Sequence, residues 1–113
     1  MSYEVNGQTV EADAKGFLVN PDAWTEEVGK VIAAAEGIEM TDKHWDVVNY
    51  LRDRYMNHAG EQPNMRKMTK GIAEIWGVRK VDSKALYDLF PMGPAKQACM
   101  VAGLPETKTK GGY

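Results

Sequence analysis

From residue 20 onward, proline and glycine recur at intervals that leave room only for short helices. Proline cannot continue a helix, and a glycine just past a periodic run ends one. Asn20 can cap a first helix with Pro21 in its opening position, where the missing N–H is no loss. Trp24, Val28, Val31, Ile32 and Ala35 give that helix an apolar stripe, and Gly37 stops it. Thr41 caps a second helix, whose buried face is expected to hold Trp45, Val48, Leu51, Tyr55 and the stem of Arg52 before it ends near Gly60. Pro63 opens a third, carrying Met65, Met68, Ile72 and Ile75 up to Gly77. Asp82 or Ser83 caps a short fourth with Leu86, Leu89 and Phe90. The chain turns at Pro91-Met92-Gly93, and Pro94 starts a last helix in which Ala95, Ala98, Cys99 and Ala102 share one face. Gly103 ends it.

The N-terminus follows another pattern. Tyr3-Glu4-Val5 and Gln8-Thr9-Val10 flank Asn6-Gly7, a pair suited to the positive φ angles of a type I′ hairpin turn. Asp13 to Gly16 makes a second turn leading into Phe17-Leu18-Val19, read as a third short strand. Beyond Pro105 the residues lose all periodicity. The expected architecture is a mostly helical α+β domain over residues 1–105, with an N-terminal β-hairpin and about five helices, then a flexible C-terminal arm over 106–113.

Several function classes drop out at this point. No apolar run approaches the ~18–20 residues that span a bilayer. Met1-Ser2-Tyr3-Glu4 lacks the basic and apolar regions of a signal peptide, so a cytoplasmic protein without membrane attachment is expected. A single cysteine excludes an internal disulfide and suits a reducing compartment. His44 and His58 lie fourteen positions apart with no cysteine near them, so neither a metal nor a cofactor is expected. There is no P-loop, GxGxxG or CxxC, which argues against a self-contained nucleotide or hydrolytic enzyme.

The net charge of −2 conceals a polarity: residues 1–64 carry −7 and residues 65–113 carry +5. The basic half could meet an acidic partner, an oxyanion or nucleic acid, or simply be a solvated surface. The third and fourth helices, joined through a glycine, could pass for a helix-turn-helix, although most such pairs bind no DNA.

Cys99 is the one strong nucleophile candidate. As a thiolate it could attack a persulfide, disulfide or polysulfide sulfur. Against that stands its place among alanines on a short helix, where cysteine commonly serves as a buried hydrophobe. It also lies beyond the first turn after Pro94, out of useful reach of the helix N-terminus. Arg66 and Lys70, four apart on one helix face, and Lys96, three before Cys99, are candidates for stabilising an anion or a thiolate.

The run from Leu86 to Cys99, LYDLFPMGPAKQAC, followed by Ala102-Gly103-Leu104-Pro105, resembles the C-terminal signature of the DsrC/TusE family of sulfur-trafficking proteins. Lys15-Gly16-Phe17-Leu18, Trp24, Asp42-Lys43-His44-Trp45-Asp46 and the Met65 to Lys70 stretch agree with it, so the likeness runs from about Tyr3 to Pro105. That family includes the gamma subunit of dissimilatory sulfite reductase and a carrier in tRNA thiolation. The resemblance implies a helical fold with an N-terminal hairpin, protein partners drawn from sulfite reductase or sulfur-relay systems, and an arm bearing up to two cysteines. The penultimate cysteine of the family picks up sulfur as a persulfide or inserts into a partner's active site. The inner one, ten residues earlier with the intervening stretch uncounted, can close a disulfide or trisulfide with it. In the tRNA-thiolation branch the terminal cysteine acts without the inner one.

Cys99 matches the inner position. The usual terminal spacing falls on Lys110, and Gly112 is penultimate, so the travelling thiol is missing. The expected function is a sulfur-trafficking protein that docks on such partners, at most a sulfurtransferase-type carrier, with Cys99 its one candidate sulfur-binding thiol. The alternative is a non-catalytic regulatory paralogue, acting as a partner decoy or on nucleic acid. A third reading is a family member with a changed tail that keeps only the fold.

Overall fold

A computed structural model describes residues 1–106 of the chain. Strands β1 (Ser2–Val5) and β2 (Gln8–Glu11) pair antiparallel, with Tyr3 opposite Val10 and Val5 opposite Gln8. Asn6 and Gly7 both have positive φ, 51° and 81°, as a type I′ turn demands. Tyr3 and Val5 point to the same side and are buried, and the Tyr3 hydroxyl donates to the Gly16 carbonyl at 2.8 Å. The expected third strand is reduced to one bridge between Ala12 and Leu18. Asp13 is the physical reason. Its carboxylate accepts from the Lys15 and Phe17 amides and closes a tight side-chain turn that leaves no length for a ladder.

Five helices follow: α1 (Glu26–Ala35), α2 (Asp42–Asn57), α3 (Met65–Trp76), α4 (Ser83–Leu89) and α5 (Pro94–Val101). The first departs from the sequence expectation. Asn20 caps only a short 3-10 turn, Pro21–Ala23, and the chain then extends through Trp24 before Thr25 caps α1 by accepting from the Val28 amide. Trp24 therefore sits before α1 and not on its stripe. Asn64 caps α3, two residues later than expected from Pro63, while Asp82 caps α4 as expected. On α3, Ile75 proves 50% exposed, and Trp76 takes its place by packing on the core and donating from its indole to Asp46 at 2.8 Å.

One core gathers all of these elements. Phe17, Ile32, Val47, Leu51, Met68, Ile72, Leu86, Phe90 and Leu104 are its large, fully buried members. Helix α5 lies in the middle of it, touching α1, α2, α3 and α4, and every residue of α5 except Lys96 is buried. No helix among the described residues is long and apolar enough to cross a membrane. The expected arm falls almost wholly on residues 107–113, outside the described residues.

Candidate functional site

The thiol is placed by α5, so the site begins with what fixes that helix. Gly93, at φ 115°, precedes Pro94 in the first helical position, and the sharp entry lets α5 leave the Phe90 turn directly into the core. Gln97 is buried yet satisfied, its carbonyl accepting from the Met92 amide and its amide donating to Glu36. The other end is held more firmly. The Trp24 indole donates to the Val101 carbonyl at 2.8 Å, and the Arg52 guanidinium donates to the Ala102 carbonyl at 2.6 Å. These are carbonyls that a helix end leaves without intrahelical partners. Arg52 also stacks on the Trp24 ring, 4.3 Å from its centroid. Gly103 reverses the chain at φ 70°, and its amide bonds Met100 while the Leu104 amide bonds Cys99. Gln62 then donates to the Pro105 carbonyl at 2.7 Å, and Lys15 pairs with Glu106 at 3.1 Å. Residues 101–106 are thus pinned in place by four side chains distant in sequence.

Within this frame Cys99 is 1% exposed. Burial pushes its thiol up to about 12, and burial is the whole cause. A pKa there leaves roughly one thiolate in 10⁵ at neutral pH. Lys96 is half-buried and lines a hollow of ≈ 360 Å³ with Lys15, Glu36, Met92, Gln97 and Met100. Arg66 and Lys70 lie exposed on α3, lining hollows of ≈ 330 and ≈ 400 Å³ beside the chain that follows Gly77. Cys99 lines none of these hollows, so the structure does not gather the three cations around the thiol.

Three residues that matter here were not singled out as site residues from sequence. Arg52 read only as a member of an apolar stripe, and Trp24 as one that also shared in the family likeness, although an arginine inside such a stripe was a signal in itself. His44 was read as a poor metal ligand and as part of the family likeness. It is buried, its Nδ1 accepts from the Thr41 amide at 3.1 Å, and its Nε2 donates to the Leu89 carbonyl at 2.9 Å, which ties α2 to the end of α4. No cluster of three His, Cys, Asp or Glu able to hold a metal occurs among the described residues.

Residues 4–109 match the family described as DsrC like protein. The chain belongs to this DsrC family. It is 43% identical over 103 residues to the Sulfurtransferase TusE of Pectobacterium atrosepticum, covering 91% of this chain and 94% of that one. Its fold superposes on the NMR structure of Allochromatium vinosum DsrC with a TM-score of 0.88 at 40% identity, covering 97% and 99% of the two chains. The oxidized gamma-subunit of the dissimilatory sulfite reductase from Archaeoglobus fulgidus gives 0.85 at 32% identity, with the same coverage. The DsrC fold, a hairpin followed by a bundle built around α5, is therefore the fold of this chain.

Proposed function

We propose that this DsrC-family chain is a sulfur-trafficking protein that docks on sulfur-relay or sulfite-reductase partners in the cytoplasm, with Cys99 as the thiol that receives sulfur. The 43% identity to a protein named sulfurtransferase, over nearly all of both chains, carries the assignment. Cys99 enters because it is the chain's single cysteine. The transfer is a thiol exchange without net redox change. The Cys99 thiolate attacks the outer sulfur of a donor persulfide, the donor S–S bond breaks, a new S–S bond forms on Cys99, and the donor leaves as a thiolate that takes up the proton. Sitting at 1% exposure with a pKa near 12, the thiol loads only when α5 is loosened, which is the task assigned to the partner.

Intact-mass analysis after incubation with a persulfide-loaded sulfurtransferase tests this directly. A gain of about 32 Da, one sulfur atom, is expected on Cys99 and is absent in Cys99→Ala. No gain with any donor, together with no sulfur-relay or sulfite-reductase protein retained in a pull-down, overturns the assignment.

A further inference from the structure

The charge polarity seen in sequence acquires a definite shape in the fold. Gly77 ends α3 in the left-handed conformation at φ 65°, and the Val78 amide bonds back to Ala73. The chain from Val78 to Val81 consequently runs back beside the helix that it has just left, with Val81 buried as its anchor. Between the two lies a groove made of two adjoining hollows of ≈ 400 and ≈ 330 Å³, which share Thr69, Lys80 and Val81 in their walls. Arg66 and Lys70 border it from α3, and Arg79 and Lys80 from the returning strap. All four are exposed, and none has an acidic partner among the described residues, whereas Lys15, Lys30, Arg54 and Lys67 all do. Lys43, Lys84 and Lys96 also lack an acidic partner among the described residues, but none of them lines this groove, where four such cations gather.

The walls also say what fits. Ala73 and Val81 provide an apolar floor, and Val78 is 47% exposed at the rim. Arg66 to Ala73 spans about 10 Å of helix at ~1.5 Å per residue. That matches roughly three residues of extended chain. Glu74 and Asp82 lie along the walls, and the N-terminal half of the molecule carries −7, so a long uniform polyanion would meet repulsion on leaving the groove. A short stretch with two or three carboxylates and one apolar side chain meets only those two acids, against four cations. We infer that this groove is a docking site for a short acidic segment of a partner protein, with Arg66, Lys70, Arg79 and Lys80 pairing its carboxylates and Val78 its apolar residue. The site lies on α3 and its strap, away from Cys99, and stands whether or not that thiol carries sulfur.

The test uses the full chain and a fluorescein-labelled octapeptide with three glutamates around one central valine and glycines elsewhere, followed by anisotropy at low and moderate salt. Binding at low salt that weakens steeply with added salt is expected. Lys70→Glu combined with Arg79→Glu should weaken it at least tenfold, while Lys30→Glu on α1 changes it less than twofold. All three side chains are exposed, so circular dichroism should show both variants folded. Peptide binding that is absent at low salt, or indifferent to the double charge reversal, overturns the proposal. So does tighter binding of a DNA duplex that the same reversal abolishes, which would make the groove a nucleic-acid surface.

Discussion

At Cys99 two roles of one side chain compete, and its surroundings decide which governs the free protein. Alanines 95, 98 and 102 lie with it in the core, and among the described residues no charged group acts on it to stabilise a thiolate. Labelling by a thiol reagent at neutral pH should therefore run at least about a hundredfold slower in the native chain than in denaturant, since both access and thiolate population are withheld. Equal rates would show the thiol to be open. The same packing dictates the right control. Cys99→Ser would bury a hydroxyl among apolar atoms at a cost of about 1–3 kcal/mol. Cys99→Ala removes one atom and should cost about 1 kcal/mol, so alanine separates lost chemistry from lost fold. His44 gives a second prediction at this scale. Burial lowers its pKa from the ordinary 6.5, only partly offset by the Leu89 carbonyl, so the folded chain resists the proton that the unfolded chain accepts. Its contribution to stability is complete above pH 6.5, falls as the pH drops below that value, and is gone once the pH is beneath the folded pKa. Urea unfolding at pH 7.5, 6.5 and 5.5 should show stability falling chiefly below pH 6.5, and His44→Gln should flatten that fall. An unchanged slope in that variant would remove His44 as its cause.

Among the elements, the helices whose ends are set locally were the ones legible in sequence. Thr41, Asp82, Gly37, Gly77, Pro91 and Gly103 act through their own backbone preferences, and each marks the boundary that it was expected to mark. Asn6-Gly7 behaves in the same way. What escaped the reading is decided by distant partners. Trp24 leaves α1 because its indole has a carbonyl to reach on α5, 77 residues away, and Thr25, five positions after Asn20, offers another cap. Ile75 yields the core to Trp76 because Asp46 on α2 accepts the indole N–H. The alanine neighbours of Cys99 left both burial and reactivity open, and the burial, like the clamp on the end of α5, needed the tertiary structure. That clamp is testable. A Cβ at Gly103 would lie 2.5 Å from Trp24 Cδ1, at a φ that side chains avoid, so Gly103→Ala should lower stability by about 2 kcal/mol or more. Arg52→Lys keeps the charge but loses the planar stack, and should cost about 1–2 kcal/mol in thermal or urea unfolding. If Arg52→Lys melts with the parent chain, the stack on Trp24 contributes nothing.

On the scale of the whole molecule, α5 has no neighbour that can leave alone. It touches four other helices, its C-terminal end is held from the 3-10 segment, α2 and the α2–α3 connection, and its thiol lies inside the single core of the fold. Loops and termini open at little free-energy cost, whereas the centre of a core opens with the domain. Exposure of Cys99 in the free chain should therefore follow global unfolding. When the rate of Cys99 labelling is measured across sub-denaturing urea, its logarithm should rise with the same slope that describes equilibrium unfolding, and Arg52→Lys should speed labelling by the factor its stability loss implies, about tenfold per 1.4 kcal/mol. A shallow urea dependence would instead mean that α5 swings out by itself, and the thiol could then take up sulfur unaided. With the steep dependence, an isolated chain loads no faster than it unfolds. A partner that accelerates loading must do so by binding an opened state more tightly than the closed one, which confines sulfur to the encounter in which it is handed over.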